Sequence, residues 1–492
     1  MNNTTVLIIG AGPVGLTLAC EMVRRNIPCR IIERSAAPQI GSRAKALQPR
    51  SLEIFDNLGI ADKLMQQGYT ELPYRKYNGP EMIGESPRKH FLRNDTRFPK
   101  VLLLPQYQVE AALRDKFEEL GGKIEWGTEL ADFNQTDNGI VCQLQTPNWT
   151  EDVNCTYLVA CDGGKSTTRK KLGIAFIGET HQEEQLWVGD VEVEGLKPDA
   201  WYNWLSAEYG LAFALFPFKN SNNWQLQAAM PADAQGKIPT PTLEGFNQLF
   251  KERTQIQNVS FTNSTWQSIY RVNVRRTEKY RVGNAFICGD ACHVHSIAGG
   301  MGMNTGIQDA YNLGWKLAAV INGNAKDELL DTYAEERIPI ADWLLKAASE
   351  RQKAMIAAAT AGKGAFETLA TNDGTQLDLN YRDSSLGINN PHPQTELRAG
   401  DRAPNVQLAN GSWISEQLQG AGWDLLLFGD ADIPAAGSLN VIKVKDNAIV
   451  DAYKISSGVV LIRPDGHIAL IADEVTAVAA YFDKLVGYKG IE

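Results

Sequence analysis

The residues best suited to chemistry sit in two glycine-rich turns. The first is Gly10-Ala11-Gly12-Pro13-Val14-Gly15. It follows the apolar run Val6-Leu7-Ile8-Ile9 and precedes a helical pattern from Leu16 to Arg25, with Leu16, Ala19, Cys20 and Val23 on one face. A second short strand, Cys29 to Ile32, ends at Glu33, 23 residues after Gly10. Strand, glycine turn, helix and strand-end acid together predict a dinucleotide site. Gly10 permits the tight turn, Gly12 lets the backbone approach a pyrophosphate, and Gly15 allows close helix–strand packing. The start of the helix offers free N–H groups and a partial positive charge to the phosphates, and Glu33 can accept from a ribose hydroxyl. This turn alone leaves FAD and NAD(P) equally open.

The second turn follows the buried-strand run Ala285 to Gly289, capped by Asp290. Gly299, Gly300 and Gly302 let the backbone pass close to a flat ligand, and a helix is expected from about Thr305 to Val320. A carboxylate, a glycine loop and a helix N-terminus suit a flavin. The carboxylate can bind ribityl hydroxyls, and the helix end can stabilise negative charge on the reduced ring. An ordinary strand–loop–helix connection capped by Asp290 is the plainer alternative.

Three segments, GAGPVGL (10–16), ACDGGKSTTRKKLGI (160–174) and GDACHVHSIAGGMGMNTGIQDAYNLGWKLA (289–318), resemble the class A FAD-dependent aromatic hydroxylases. These are the relatives of para-hydroxybenzoate hydroxylase, and the larger phenol, rifampicin and polyketide hydroxylases are the nearer ones. The resemblance covers residues 1 to about 345 well and the remainder loosely. It implies FAD as cofactor, NADPH or NADH as electron donor, O₂, and a small aromatic substrate hydroxylated through a flavin C4a-hydroperoxide. It also implies contacts. Gly10, Gly12, Pro13, Val14 and Gly15 would meet the pyrophosphate, Glu33 and Arg34 the adenosine end, and Leu130 the adenine. Arg43 and Gln106 would touch the pyrophosphate and ribityl regions and Asp290 the ribityl chain. Gly300, Gly302, Met303 and Asn304 would face the ring. Asp162 and Gly163 match a motif linked to FAD packing and NAD(P)H use, and a strand-end Asp ordering a turn is an equally good reading of Asp162. Two departures stand out: Ile297 replaces the usual proline after His-Ser, and Met301 a usual glutamine. The resemblance names no catalytic residue, and no base for a phenol is evident.

The elements that must position these turns follow from composition and periodicity. The 492 residues are 43% hydrophobic and 22% charged, ordinary for a folded protein. A net charge of −10 disfavours nucleic acid and anionic membranes, and no apolar run is long enough to span a bilayer. The N-terminus lacks a basic segment and reads as a strand. Seven cysteines without a CxxC pair predict a reducing, cytoplasmic compartment, and Cys288 and Cys292 near His293 and His295 match no zinc spacing, so no metal is expected.

The expected fold is α/β: a Rossmann-like FAD-binding domain, an inserted antiparallel-sheet substrate domain and a C-terminal thioredoxin-like domain. The boundaries are 1–177 with 277–360, 178–276, a linker 361–400, and 401–492. The insert has alternating runs at 187–191, 211–216 and 224–228, and five tryptophans (187, 201, 204, 224, 266) that could roof an apolar substrate or be plain core. Phe216-Pro217-Phe218 and Met230-Pro231 read as strand ends near that roof. One or two helices interrupted at Pro339 are expected over 327–359, and strands at 425–428, 439–444 and 459–462. No cysteine follows Cys292, so the tail is redox-inactive, with packing or dimerisation left to it; monomer and homodimer are both open. The leading function is an FAD-dependent, NAD(P)H-using aromatic monooxygenase. Baeyer–Villiger or antibiotic-modifying oxygenation, a flavin protein without turnover, and a simple NAD(P) dehydrogenase are its rivals.

Overall fold

Parallel strands must be buried on both faces, and the apolar runs of this chain supply them. The computed structural model describes residues 2–88, 92–206, 210–230, 238–296, 300–360, 372–388, 392–418, 420–429 and 439–485. Asn2–Ile9 pairs in parallel with Cys29–Glu33 on one side and Thr150–Ala160 on the other. Ile124–Trp126 extends the sheet beyond Cys29–Glu33, and Ala285–Ile287 extends it beyond Thr150–Ala160, again in parallel. A hairpin of Glu129–Thr136 and Gly139–Gln145 joins antiparallel at Thr150–Ala160. The strands leading into the two glycine turns are therefore one strand apart and open at the same sheet edge, where ligands of such sheets bind.

Both turns feed helices that begin three residues earlier than the periodicity predicts. Pro13–Val23 starts on proline, whose fixed φ suits the first helical position, and Gly302–Ile321 starts on glycine. The two helices pack closely because small residues face each other. A Cβ on Gly306 would lie 2.7 Å from Val14 Cγ2, and one on Gly314 would lie 2.7 Å from Glu21 Cβ. The expected break at Pro339 is absent: Thr332–Thr360 runs through it as one helix. Pro339 and Glu335 both lie on the exposed side, so water can satisfy the carbonyl that proline leaves unbonded.

The second sheet is mixed, where an antiparallel one was expected. Ser260–Arg276, Ile177–Glu194, Asn223–Ala229, Gly210–Pro217 and Trp201–Ser206 are antiparallel neighbours, but Trp201–Ser206 then pairs in parallel with Tyr74–Asn78. Glu81–Ser86 closes that edge and His293–Val294 the other. The sheet thus recruits strands from outside 178–276, and His293–Val294 ties it to the Asp290 turn.

The third sheet holds Asn440–Lys443, Asp424–Phe428, Gly458–Ile462 and Ile468–Ala472 in that order, the first pair parallel and the others antiparallel. It is anchored by buried charge. Glu336 on the long helix accepts from both terminal nitrogens of Arg463 at 2.5 and 2.9 Å and from Lys316 Nζ at 2.7 Å, and Asp465 accepts from Trp315 Nε1 at 3.1 Å. Part of the expected linker is packed rather than loose. Gln376 donates to Thr305 Oγ1 at 2.8 Å, and the Tyr381 hydroxyl accepts from Arg337 at 2.9 Å. Residues 361–371 of that linker lie outside the described residues, as do Ile297 and Pro231.

Candidate active site

The two glycine turns and the second sheet enclose one continuous cavity of about 1820 Å³. A single drug-sized ligand occupies about 300–1,000 Å³, so this volume suits a large cofactor and a second molecule together. Of the residues singled out in the sequence, Gly10, Gly12, Pro13, Val14, Glu33, Arg34, Arg43, Gln106, Leu130, Asp162, Gly163, Asp290, Gly300, Gly302 and Met303 line it.

Gly15 and Asn304 do not. A Cβ on Gly15 would sit 2.0 Å from Gly10 O, so Gly15 serves helix–turn packing. Asn304 is fully buried; its amide donates to Ala46 O at 3.0 Å and Gly300 O at 2.8 Å, and its carbonyl accepts from Gln48 N at 2.8 Å. It joins the glycine loop to the 46–48 segment instead of facing the cavity.

The first turn is shaped as a cradle. Gly10 has φ +100°, and a Cβ there would lie 2.5 Å from Cys161 O, so only glycine fits. A Cβ on Gly12 would meet nothing within 4 Å and would project into open space beside the helix start. Among the described residues neither Pro13–Val23 nor Gly302–Ile321 has a side-chain cap, so both helix starts present first-turn N–H groups to the cavity side. Glu33 is fixed by Ala11 N at 3.0 Å and Ser35 N at 2.9 Å. Asp162 Oδ2 accepts from Thr167 N and Thr168 N at 3.0 and 3.2 Å, the turn-ordering role, while its Oδ1 is buried with no hydrogen-bond partner among the described residues. An open cradle, uncapped helix starts and an orphaned carboxylate oxygen at one wall fit FAD.

Gln106 accepts from Ala44 N at 3.3 Å and donates to Glu110 at 2.8 Å, pinning the Arg43 segment. Asp290 opens onto the cavity. Desolvation raises its pKa above the usual carboxylate value, against the pull of His293 and Arg43. His295 also lines the wall. Its Nδ1 lies 2.6 Å from Ser296 O, which makes Nδ1 the protonated nitrogen, and burial lowers its pKa to about 4. It is neutral near pH 7.

Five supporting residues of the site carry no local signal pointing to it. Asp309 accepts from Arg337 Nε at 2.6 Å and Gly289 N at 3.2 Å, and lies 2.7 Å from His293 Nε2, holding the Asp290 turn between two helices. Asp309 falls within the 289–318 motif, but its partner Arg337 carries no sequence signal. At the sheet end, Lys45 faces the cavity beside the buried Asp190 and Gln225. Of the five tryptophans only Trp201 and Trp266 line the cavity; Trp187, Trp204 and Trp224 belong to the core on the other side of the sheet.

Comparison with known proteins agrees with this geometry. Residues 3–348 match the FAD binding domain family. A flavin-dependent monooxygenase of Mycobacteroides abscessus is 37% identical over 98% of this chain and 100% of its own length. The pentachlorophenol 4-monooxygenase of Sphingobium chlorophenolicum is 31% identical over 83% and 76% of the two chains. Among solved structures, the OxyS anhydrotetracycline hydroxylase from Streptomyces rimosus superposes with a TM-score of 0.78 at 28% identity, covering 99% of both chains. With the cradle, the cavity and these matches together, the chain belongs to the FAD-binding monooxygenase family and is an FAD-dependent, NAD(P)H-using aromatic hydroxylase.

Proposed function

We propose that this enzyme adds one oxygen atom of O₂ to a fused-ring phenol or enol of polyketide type. The observation that carries the reading is the size and continuity of the cavity, which runs from the Gly12 cradle to the aromatic wall of Trp201 and Trp266. Bound FAD, reduced by NADPH or NADH, supplies the activated oxygen. Gly10, Gly12, Pro13 and Val14 would hold its pyrophosphate; Glu33, Arg34 and Leu130 its adenosine; Arg43, Gln106 and Asp290 its pyrophosphate and ribityl regions. Gly300, Gly302 and Met303 would face the ring, and Asp162 with Gly163 would serve FAD packing and NAD(P)H use. The apolar sheet wall excludes water from the reacting ring. Relatives that are a pentachlorophenol monooxygenase and an anhydrotetracycline monooxygenase favour the phenolic and fused-ring classes.

The domains read as 1–177 with 277–360 for FAD, lending Tyr74–Asn78 and Glu81–Ser86 to the substrate sheet of 178–276, then 361–400 as a linker and 401–492 as a thioredoxin-like packing module without a thiol. The tail's buried ion network with Glu336 supports packing over dimerisation. No helix among the described residues is long and apolar enough to cross a membrane, and all seven cysteines are free, which supports a cytoplasmic setting.

The test is NAD(P)H oxidation by the purified yellow protein with and without hydroxyanthraquinones and tetracycline-type rings. Faster oxidation and a product heavier by one oxygen atom are expected. Lactone formation from a cyclic ketone, with no phenol accelerating oxidation, would overturn the reading in favour of Baeyer–Villiger chemistry. Colourless protein would overturn both.

A further inference from the structure

The sheet end of the cavity holds an amine for which the cofactor contacts have no use. Lys45 Nζ donates to Gln225 Oε1 at 2.7 Å and lies 4.0 Å from the centre of the Phe216 ring and 5.7 Å from that of Trp201. The accessible part of Lys45 faces the cavity.

Gln225 is held from behind. Its Nε2 donates to Ser42 O at 3.1 Å and Ser42 Oγ at 2.7 Å, and Gln227 Nε2 donates to its Oε1 at 2.9 Å. Ser42 in turn donates through N to Asp190 Oδ2 at 2.8 Å and through its hydroxyl to Asp190 Oδ1. A main-chain carbonyl can only accept, so Ser42 O fixes the amide orientation and Gln225 must present oxygen to Lys45. Every donor in this chain points toward Asp190.

The charged groups around the amine leave it poised. Desolvation lowers the Lys45 pKa from 10.5 to about 7, opposed by Asp190 and reinforced by Arg88. Burial raises the Asp190 pKa to about 6, opposed by Ser42 and Lys45. Burial, with the nearby Asp190 charge, raises the Tyr107 pKa, and Tyr74 and Glu71 act on Arg88. The Arg88 guanidinium lies 5.1 Å from the Trp201 ring centre, and its Nη1 is buried with no hydrogen-bond partner among the described residues. A donor without an acceptor, beside an amine that can lose its proton, asks for an oxyanion.

We propose that Lys45 is a catalytic residue: its neutral amine takes the proton from a phenolic or enolic hydroxyl of the substrate, and the ammonium so formed holds the oxyanion in the field of Arg88. The O–H bond breaks with its electron pair staying on oxygen, and an N–H bond forms; no oxidant or reductant is involved. The ionised ring is richer in electrons where the oxygen atom is to be added. Gln225, Ser42 and Asp190 are positioning residues that aim and stabilise the ammonium. This assignment rests on the fused-ring phenol reading above.

The probe is alizarin, a fused-ring phenol whose colour reports its ionisation, titrated across pH on the FAD-loaded enzyme. Wild type should shift the bound dye's ionisation by tenfold or more in favour of the anion. Lys45→Met should abolish that shift, and Lys45→Arg, which keeps the charge, should retain it. In turnover with a competent phenol, Lys45→Arg should lose the pH limb near 7. An anion shift unchanged in Lys45→Met, or absent in wild type, would overturn the assignment of Lys45 alone. Failure of alizarin to bind wild type at all would overturn the fused-ring reading and this assignment with it.

Discussion

Two polar networks, one at the tail and one at the sheet end of the cavity, are finished differently. Around Glu336 and Asp465, with Lys316 and Arg463, buried charges pair with buried charges of the opposite sign. Around Asp190, the chain of donors starts at Lys45 on an open cavity, where one arginine nitrogen has no hydrogen-bond partner among the described residues. The first arrangement clamps the tail; the second leaves bonding capacity for a ligand. The clamp charges are sealed from solvent, whereas Lys45 is only partly buried and opens on the cavity, and that opening separates a binding wall from a structural joint.

Removing Glu336 should break the clamp hardest. Glu336→Ala strands Lys316 and Arg463 in the interior and should cost about 3–5 kcal/mol, read as a lower midpoint in thermal or denaturant unfolding. A tryptophan pair sharpens the same contrast. Trp204, fully buried and 5.0 Å from Phe250 between ring centres, should cost about 3–5 kcal/mol on change to Ala. Trp266→Ala belongs among the smaller effects below.

Acid should weaken both sides. Burial lowers His467, beside the clamp, and His295, on the cavity wall, to about 4. Between pH 6.5 and 4 the unfolded chain binds protons that the folded protein refuses, so stability falls as pH falls through that window. One pKa unit is worth about 1.4 kcal/mol, which makes each histidine's share on the order of 3 kcal/mol. Unfolding midpoints measured from pH 7 to 4 check the sign. The depressed Asp309 and Asp465 carboxyls keep their contribution above their ordinary values near pH 4 and lose it below.

Two glycines in one turn separate cavity from packing more gently. Gly12→Ala should leave the fold intact and weaken FAD binding about tenfold, about 1.4 kcal/mol, by filling the cradle. Gly15→Ala, with its Cβ against Gly10 O, should instead lower the unfolding midpoint of the apoprotein. Flavin fluorescence and melting curves on both variants distinguish the two. Least of all, Trp266→Ala should shift the unfolding free energy by under about 1 kcal/mol while raising KM for a fused-ring phenol.

Local signals made much of this legible. The turn at Gly10, the strand-end Glu33 and the Asp290 loop are short-range patterns whose chemistry depends on neighbours in sequence, and the structure brings them to one sheet edge. Periodicity places the helix starts three residues late because it marks the packed face, whereas Pro13 and Gly302 begin the helices before that face does. Pro339 was misjudged because whether a proline breaks a helix depends on where its orphaned carbonyl points. Gly15 and Asn304 were grouped with the ligand contacts because their motif is contiguous, yet the walls of the cavity are not.

The sequence by itself determined the two glycine turns with their strand-end acids and the absence of a thiol from the tail, since each follows from residue type and local spacing, while FAD itself followed from the family resemblance. Tertiary structure alone decided which tryptophans meet the cavity, which charges seal the tail, and that Lys45 faces Gln225 across 180 residues of chain. Those outcomes depend on desolvation and on partners brought from distant strands, and neither quantity exists until the sheets have paired.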